Sequence, residues 1–185
     1  GIEVLLTAYA ELVSWAEGEL PQCQVNIPEL VLAGPGDITS LWAGNVPSHV
    51  VLRNGLIGDD EALDLFRRCS LVVLPYTDAT QSALVAAAYY FRKPVIVSCV
   101  GALPEYVVAG ETGFVVEPGH PPSLGRALVS AMSDPGRLRQ MGEAGRAWYD
   151  RRCLEETASL MRMYRQAAAE HRTGVPFRSG ETTIS

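Results

Sequence analysis

Two turns hold the residues best equipped for chemistry. Tyr76-Thr77-Asp78-Ala79-Thr80-Gln81-Ser82 gathers hydroxyl, amide and carboxylate groups between small residues, and it joins an apolar run, Leu71 to Pro75, to a helical one, Ser82 to Phe91. A helix start offers unpaired backbone N–H groups and a partial positive charge, and the Thr80 and Ser82 hydroxyls add donors, which together suit a phosphate. The same residues also suit an ordinary N-cap by Thr80 or Ser82. The second turn is Val100-Gly101-Ala102-Leu103-Pro104-Glu105. Gly101 permits close backbone approach to a ligand, and Pro104 fits the first turn of a helix. Glu105 is a candidate acid, although a carboxylate is favoured at that place by the helix dipole alone. Gly110-Glu111-Thr112-Gly113 reads as an architectural turn.

Other constellations are thin. There is no GxSxG, HExxH or GxxxxGK[ST] pattern, and Gly34-Pro35-Gly36 is too short for a dinucleotide fingerprint. Cys23, Cys69, Cys99 and Cys153 form no CxxC pair, and His49, His120 and His171 are scattered, so no metal site is expected and the thiols read as reduced packing groups. The residues by themselves lead as far as a nucleotide- or phosphate-binding α/β domain.

The elements that must position these turns follow from periodicity. Ile2, Leu5, Leu6, Tyr9, Leu12, Val13 and Ala16 recur at helical spacing, and a Pro-bounded stretch runs from Pro21 to Pro28. Strands are expected at Glu29–Ala33, Val50–Leu52, Leu71–Pro75, Pro94–Ser98 and Gly113–Glu117. Helices are expected from Asp59 to Arg68, over Ser82–Phe91 and 103–109, and at the C-terminus as Pro121–Met132, Pro135–Arg146 and Leu154–Glu170. Residues 171–185 read as a flexible tail after a domain spanning 1–170. Strands alternating with helices imply α/β architecture, a doubly wound parallel sheet with helices on both faces, whose ligands bind at the carboxyl ends of the strands.

Composition limits the remaining classes. The chain has 185 residues, 48% hydrophobic and 19% charged, with a net charge of −6, so it is globular rather than disordered. It contains no apolar run of about 18 residues, the length that a membrane-spanning helix needs. No basic stripe with interleaved aromatics points to nucleic acid. Only one of the 15 bases is a lysine, Lys93. Nine arginines between Arg137 and Arg178 read as a solvated helix face, with peripheral contact to anionic lipid as the alternative. The expected location is cytoplasmic.

Taken together, these motifs resemble the C-terminal, donor-binding half of a GT-B glycosyltransferase of family 4. Gly1 to Leu12 (GIEVLLTAYAEL) resembles the family's KG-x-x-x-LL-x-A-x-x-x-L helix, and Leu30 to Asp37 (LVLAGPGD) its strand and glycine turn. Val51–Gly55, Asp59–Phe66, Leu71–Pro75, Lys93–Val97 and, most specifically, Gly101–Gly119 (GALPEYVVAGETGFVVEPG) follow in order. The resemblance implies a Rossmann-like domain that binds a nucleotide diphosphate sugar without a metal or other cofactor. It places the base on Asn54, Gly55, Leu56 and Ile57, and the diphosphate and sugar near Ala79, Thr80, Gln81, Ser82 and Gly101.

Departures from the family pattern are as informative. The usual glutamate pair, E-x7-E, falls on Ala79 and Ala87, neither acidic. Asp78-Ala79-Thr80-Gln81-Ser82 looks like the ATQS-type turn of one branch, with Asp78 a candidate substitute for the first glutamate. The family's diphosphate-binding R-x4-K pair would end just before Gly1, so the resemblance implies a fragment lacking that pair, a first strand and an acceptor-binding domain as partner. It implies retaining sugar transfer to a glycan or lipid-linked acceptor. A degenerate, non-catalytic domain that binds a partner protein is the alternative, and a sugar-nucleotide epimerase the third.

Overall fold

A computed structural model describes residues 1–19, 27–36 and 49–173. Most of the Pro-bounded stretch (21–26), Cys23, Asp37 and the tail from residue 174 lie outside the described residues. Five short strands are described: β1 (Leu30–Gly34), β2 (Val50–Asn54), β3 (Val72–Leu74), β4 (Val95–Ser98) and β5 (Gly113–Val116). All pair in parallel, as expected, but in two ladders rather than one: β1 with β2, and β3-β4-β5 with β4 in the middle. The centre of the second ladder explains its apolar sequence. Val95, Ile96 and Val97 are all fully buried, because Ile96 enters the cluster with helices α1 (Ile2–Glu19) and α4 (Pro121–Ser133), and its neighbours turn to the opposite face. In β1 only Leu32 is buried, while Val31 and Ala33 are exposed. Helix α2 (Asp59–Arg68) buries none of its residues.

The helix α1 buries Leu5, Ala8, Tyr9, Leu12 and Ala16, the three- and four-residue steps of one stripe. It packs on α4, which contributes Leu124, Ala127, Leu128 and Ala131. The Tyr9 hydroxyl donates to the Pro28 carbonyl at 2.6 Å, tying α1 to the entry of β1. The start of α4 is capped by His120, whose Nδ1 accepts the Ser123 N–H at 3.2 Å, with Pro121 opening the first turn.

Helix α3 (Ala83–Tyr90) buries Val85, Ala88 and Tyr89. Two glycines let α5 (Pro135–Thr173) come close: a Cβ on Gly142 would overlap the Arg92 carbonyl, and one on Gly145 the Tyr89 ring. The C-terminus of α3 closes as a Schellman motif, with Lys93 N–H on the Ala88 carbonyl at 2.8 Å and Arg92 N–H on the Tyr89 carbonyl at 2.9 Å. Arg92 takes the left-handed position, with φ of 55°. Lys93 Nζ then donates to the Arg67 carbonyl at 3.0 Å, placing a cation on the last turn of α2, and Phe66 stacks on Phe91 at 5.6 Å.

Two helical expectations are corrected. The stretch 103–109 forms only a single 3-10 turn, Leu103–Tyr106, because Val107 is already extended. The separate C-terminal helices 135–146 and 154–170 are one helix that runs on to Thr173, so residues 171–173 of the expected tail are helical. Ala147 to Cys153 holds no glycine or proline to stop it, and Arg152 pairs with Glu156 one turn on at 2.6 Å. By contact density the chain divides into Gly1–Ala147 and a second unit beginning at Trp148. In the second unit Leu154, Leu160, Met161, Met163 and Tyr164 are exposed.

Candidate functional site

The turn after β3 begins with buried Pro75 and reaches α3 through Tyr76 to Ser82. Ser82, rather than Thr80, is the cap: its Oγ accepts the Leu84 N–H at 3.3 Å and lies 3.4 Å from the Tyr76 hydroxyl. Thr80 contributes its backbone instead, its carbonyl accepting the Ala102 N–H at 2.9 Å. The Thr77, Asp78, Thr80 and Gln81 side chains are exposed, and Ala79 is half-buried. The turn therefore presents two hydroxyls, an amide and a carboxylate to solvent beside the N-terminus of α3.

The turn after β4 is seated directly on this one. Gly101 has φ of 51°, and a Cβ there would collide with the Ala79 and Thr80 carbonyls. The missing side chain thus lets the two turns touch. A Cβ on Gly1 would likewise run into the Pro75 carbonyl, so the start of α1 abuts the same edge. Glu105 is exposed in the 3-10 turn, its N–H on the Ala102 carbonyl at 3.1 Å. Ala79, Thr80, Ser82, Gly101 and Ala102 are therefore drawn together at the carboxyl ends of β3 and β4.

Asn54 to Ile57 stand at the carboxyl end of the other ladder. Gly55, with φ of 137°, donates its N–H to the Gly34 carbonyl at 3.2 Å, which links the ends of β1 and β2. Asn54 is exposed, and Leu56 is 93% exposed, a large apolar side chain left in water at a strand end. Three acids, Asp59, Asp60 and Glu61, open α2 just beyond.

One polar group in this region escaped the sequence reading. The Tyr89 hydroxyl donates to the Tyr106 carbonyl at 3.1 Å and lies 2.7 Å from Thr112 Oγ1, which in turn accepts the Val108 N–H at 2.9 Å. Burial pushes the Tyr89 phenol up to about 12, with the Thr112 hydrogen bond opposing the shift. Tyr89 lies on the buried face of α3 with Val85 and Ala88, and a buried tyrosine hydroxyl calls for a partner; α3 is apolar all round, so nothing in its sequence separates Tyr89 from the exposed Tyr90. Among the described residues no cluster of three His, Cys, Asp or Glu side chains could hold a metal, and Cys69, Cys99 and Cys153 are free thiols. No helix among the described residues is long and apolar enough to cross a membrane.

Comparison with known proteins agrees with this fold. A family model described as Glycosyl transferases group 1 matches residues 1–134. The D-inositol 3-phosphate glycosyltransferase of Streptomyces avermitilis is 29% identical over 150 residues, which cover 77% of this chain and 32% of that protein. The chain thus spans about a third of the length of that curated relative. Among solved structures, the C-terminal domain of the glycosyl transferase group 1 family protein LpcC of Francisella tularensis superimposes with a TM-score of 0.63 at 16% identity, covering 80% of this chain and 76% of that one. Anabaena Alr3699/HepE, solved with UDP and glucose, superimposes with a TM-score of 0.59 at 18% identity, over 82% of this chain and 44% of that one. At these identities the two structures show a shared fold, that of the C-terminal domain of such an enzyme.

Proposed function

The chain belongs to the group 1 glycosyl transferases, and from that premise we propose that it binds the nucleotide diphosphate sugar donor of a retaining glycosyltransferase acting on a glycan or lipid-linked acceptor. The observation that carries this reading is the meeting of the Thr80–Ser82 helix start and the Gly101 turn at the carboxyl ends of β3 and β4. Neither turn contains a lysine or arginine. What they offer a diphosphate is N–H groups, the exposed Thr80 hydroxyl and Gln81 amide, and the positive end of α3. Such donors would stabilise a departing diphosphate electrostatically, with no proton abstracted from it. Asn54 to Ile57, with Leu56 exposed, take the base, and Asp78 and Glu105 are the acids nearest the transferred sugar in this reading. The Asp78–Ser82 turn acts as an ATQS-type replacement for the absent E-x7-E pair.

The test is calorimetric titration of UDP, GDP and their sugars into this chain and into the longest reading frame that contains it. Saturable binding of one nucleotide, weakened by Thr80→Ala and by Gly101→Val, is the expected result. Binding of none sinks the donor-site assignment. Ala79 and Ala87, where the family pattern has glutamates, favour a second reading in which the domain is non-catalytic and serves a partner protein. In that case nucleotide binds without sugar transfer by the longer polypeptide.

A further inference from the structure

The Tyr89 hydroxyl is buried, polar and unused by the function just proposed. It sits on the same helix as Ser82, seven residues and about 10 Å further along at the rise of an α-helix. The segment Gly101–Tyr106 is therefore fastened to α3 and its leading turn at two points. At one end the Ala102 N–H holds the Thr80 carbonyl at 2.9 Å, and at the other the Tyr106 carbonyl takes the Tyr89 hydroxyl at 3.1 Å. Between these points lie Pro104 and the exposed Glu105. Thr112, 2% exposed and 2.7 Å from the Tyr89 oxygen, extends the tie to Val108 on the returning chain. The Tyr89–Thr112 bond is buried, where a hydrogen bond is stronger than in water, and deleting one member leaves the others poorly paired.

We propose that Tyr89, with Thr112, is a positioning residue for the donor site, holding the Gly101–Tyr106 segment in place on α3 so that the Gly101 turn stays seated on Ala79 and Thr80. This rests on the reading of that edge as the nucleotide site. Tyr89 touches no substrate in this role and acts through the turn.

The test compares Tyr89→Phe, Thr112→Val and Thr112→Ser with Leu124→Ala, a cavity variant on the opposite, α1–α4 face that lowers stability without touching the turn. Two readouts are taken on the 185-residue chain at a temperature where every variant is folded. One is amide hydrogen exchange at Ala102 and Glu105, and the other is affinity for UDP and GDP. Y89F and T112V are expected to speed exchange at both amides by about three- to tenfold and to weaken nucleotide binding by a similar factor. T112S keeps the hydroxyl and is expected to behave as wild type in both. L124A is expected to lower the melting temperature at least as much as Y89F while changing neither readout. If L124A weakens nucleotide binding as much as Y89F, or if Y89F leaves exchange at Ala102 unchanged, the positioning role is overturned. A wild-type chain that binds neither nucleotide overturns the donor-site reading, and the exchange measurement still decides whether Tyr89 holds the turn.

Discussion

At the scale of single residues, two side chains occupy environments that oppose their ordinary preferences. Arg92 holds a left-handed position in which a Cβ costs about 1 kcal/mol, offset by a half-exposed ion pair with Glu143 at 3.0 Å whose value is about 0–1 kcal/mol. Arg92→Gly is therefore expected to raise the melting temperature by about 1–2 °C, and Arg92→Ala, which keeps the strain and loses the pair, to lower it. Thermal unfolding of the three proteins checks this; a glycine variant less stable than the alanine one would refute it. Tyr89 has its phenol pushed up to about 12 in the fold, against an ordinary value near 10. The fold favours the neutral form, so its contribution is complete below pH 10 and is lost as pH rises towards 12. About 2–3 kcal/mol is at stake. Denaturant midpoints measured from pH 8 to 12 are expected to fall steeply at the alkaline end in wild type and less steeply in Y89F. Equal slopes would show that Tyr89 does not carry the alkaline sensitivity.

At the scale of elements, the glycines of α5 are set by contact, since helix propensity alone would prefer alanine. Gly145→Ala gains about 1 kcal/mol of propensity but drives a methyl into the Tyr89 ring, and Gly142→Ala drives one into the Arg92 carbonyl. Each variant is expected to be destabilised by about 1–3 kcal/mol in urea unfolding, and a stabilised variant would show that α5 stands further from α3. Such contacts explain what was legible in the sequence and what was not. Every described strand was readable, because buried parallel strands such as Val95–Ser98 are apolar throughout, and α1 was readable from its stripe. The division into two ladders was not, since pairing partners leave no mark on local periodicity. The length of α5 was misread because Asp150-Arg151-Arg152 is polar, which marks exposure and not a helix end. At the candidate site, the cap of α3 was legible from the Ser82 hydroxyl, but the seating of Gly101 on the Thr80 carbonyl was not. Close approach by the Thr80 carbonyl and by a ligand demand the same residue type.

At the scale of the whole molecule, the unit Gly1–Ala147 contains the five strands, both candidate turns and the buried cluster. A chain ending at Ala147 is expected to keep the near-ultraviolet circular dichroism of Tyr89 and its neighbours and to melt cooperatively. A shortened chain with the broad transition and lost near-ultraviolet signal of a molten globule would show that the second unit is needed for packing. The lysine that closes α2 has a practical use at this scale. Because Lys93 is the chain's one lysine and its ammonium is engaged with the Arg67 carbonyl, an amine-directed acylating reagent finds a single side-chain target, the N-terminus aside. The rate of acylation there reads how often the ammonium leaves the Arg67 carbonyl, turning the rarity of lysine in this chain into a built-in reporter of that one contact.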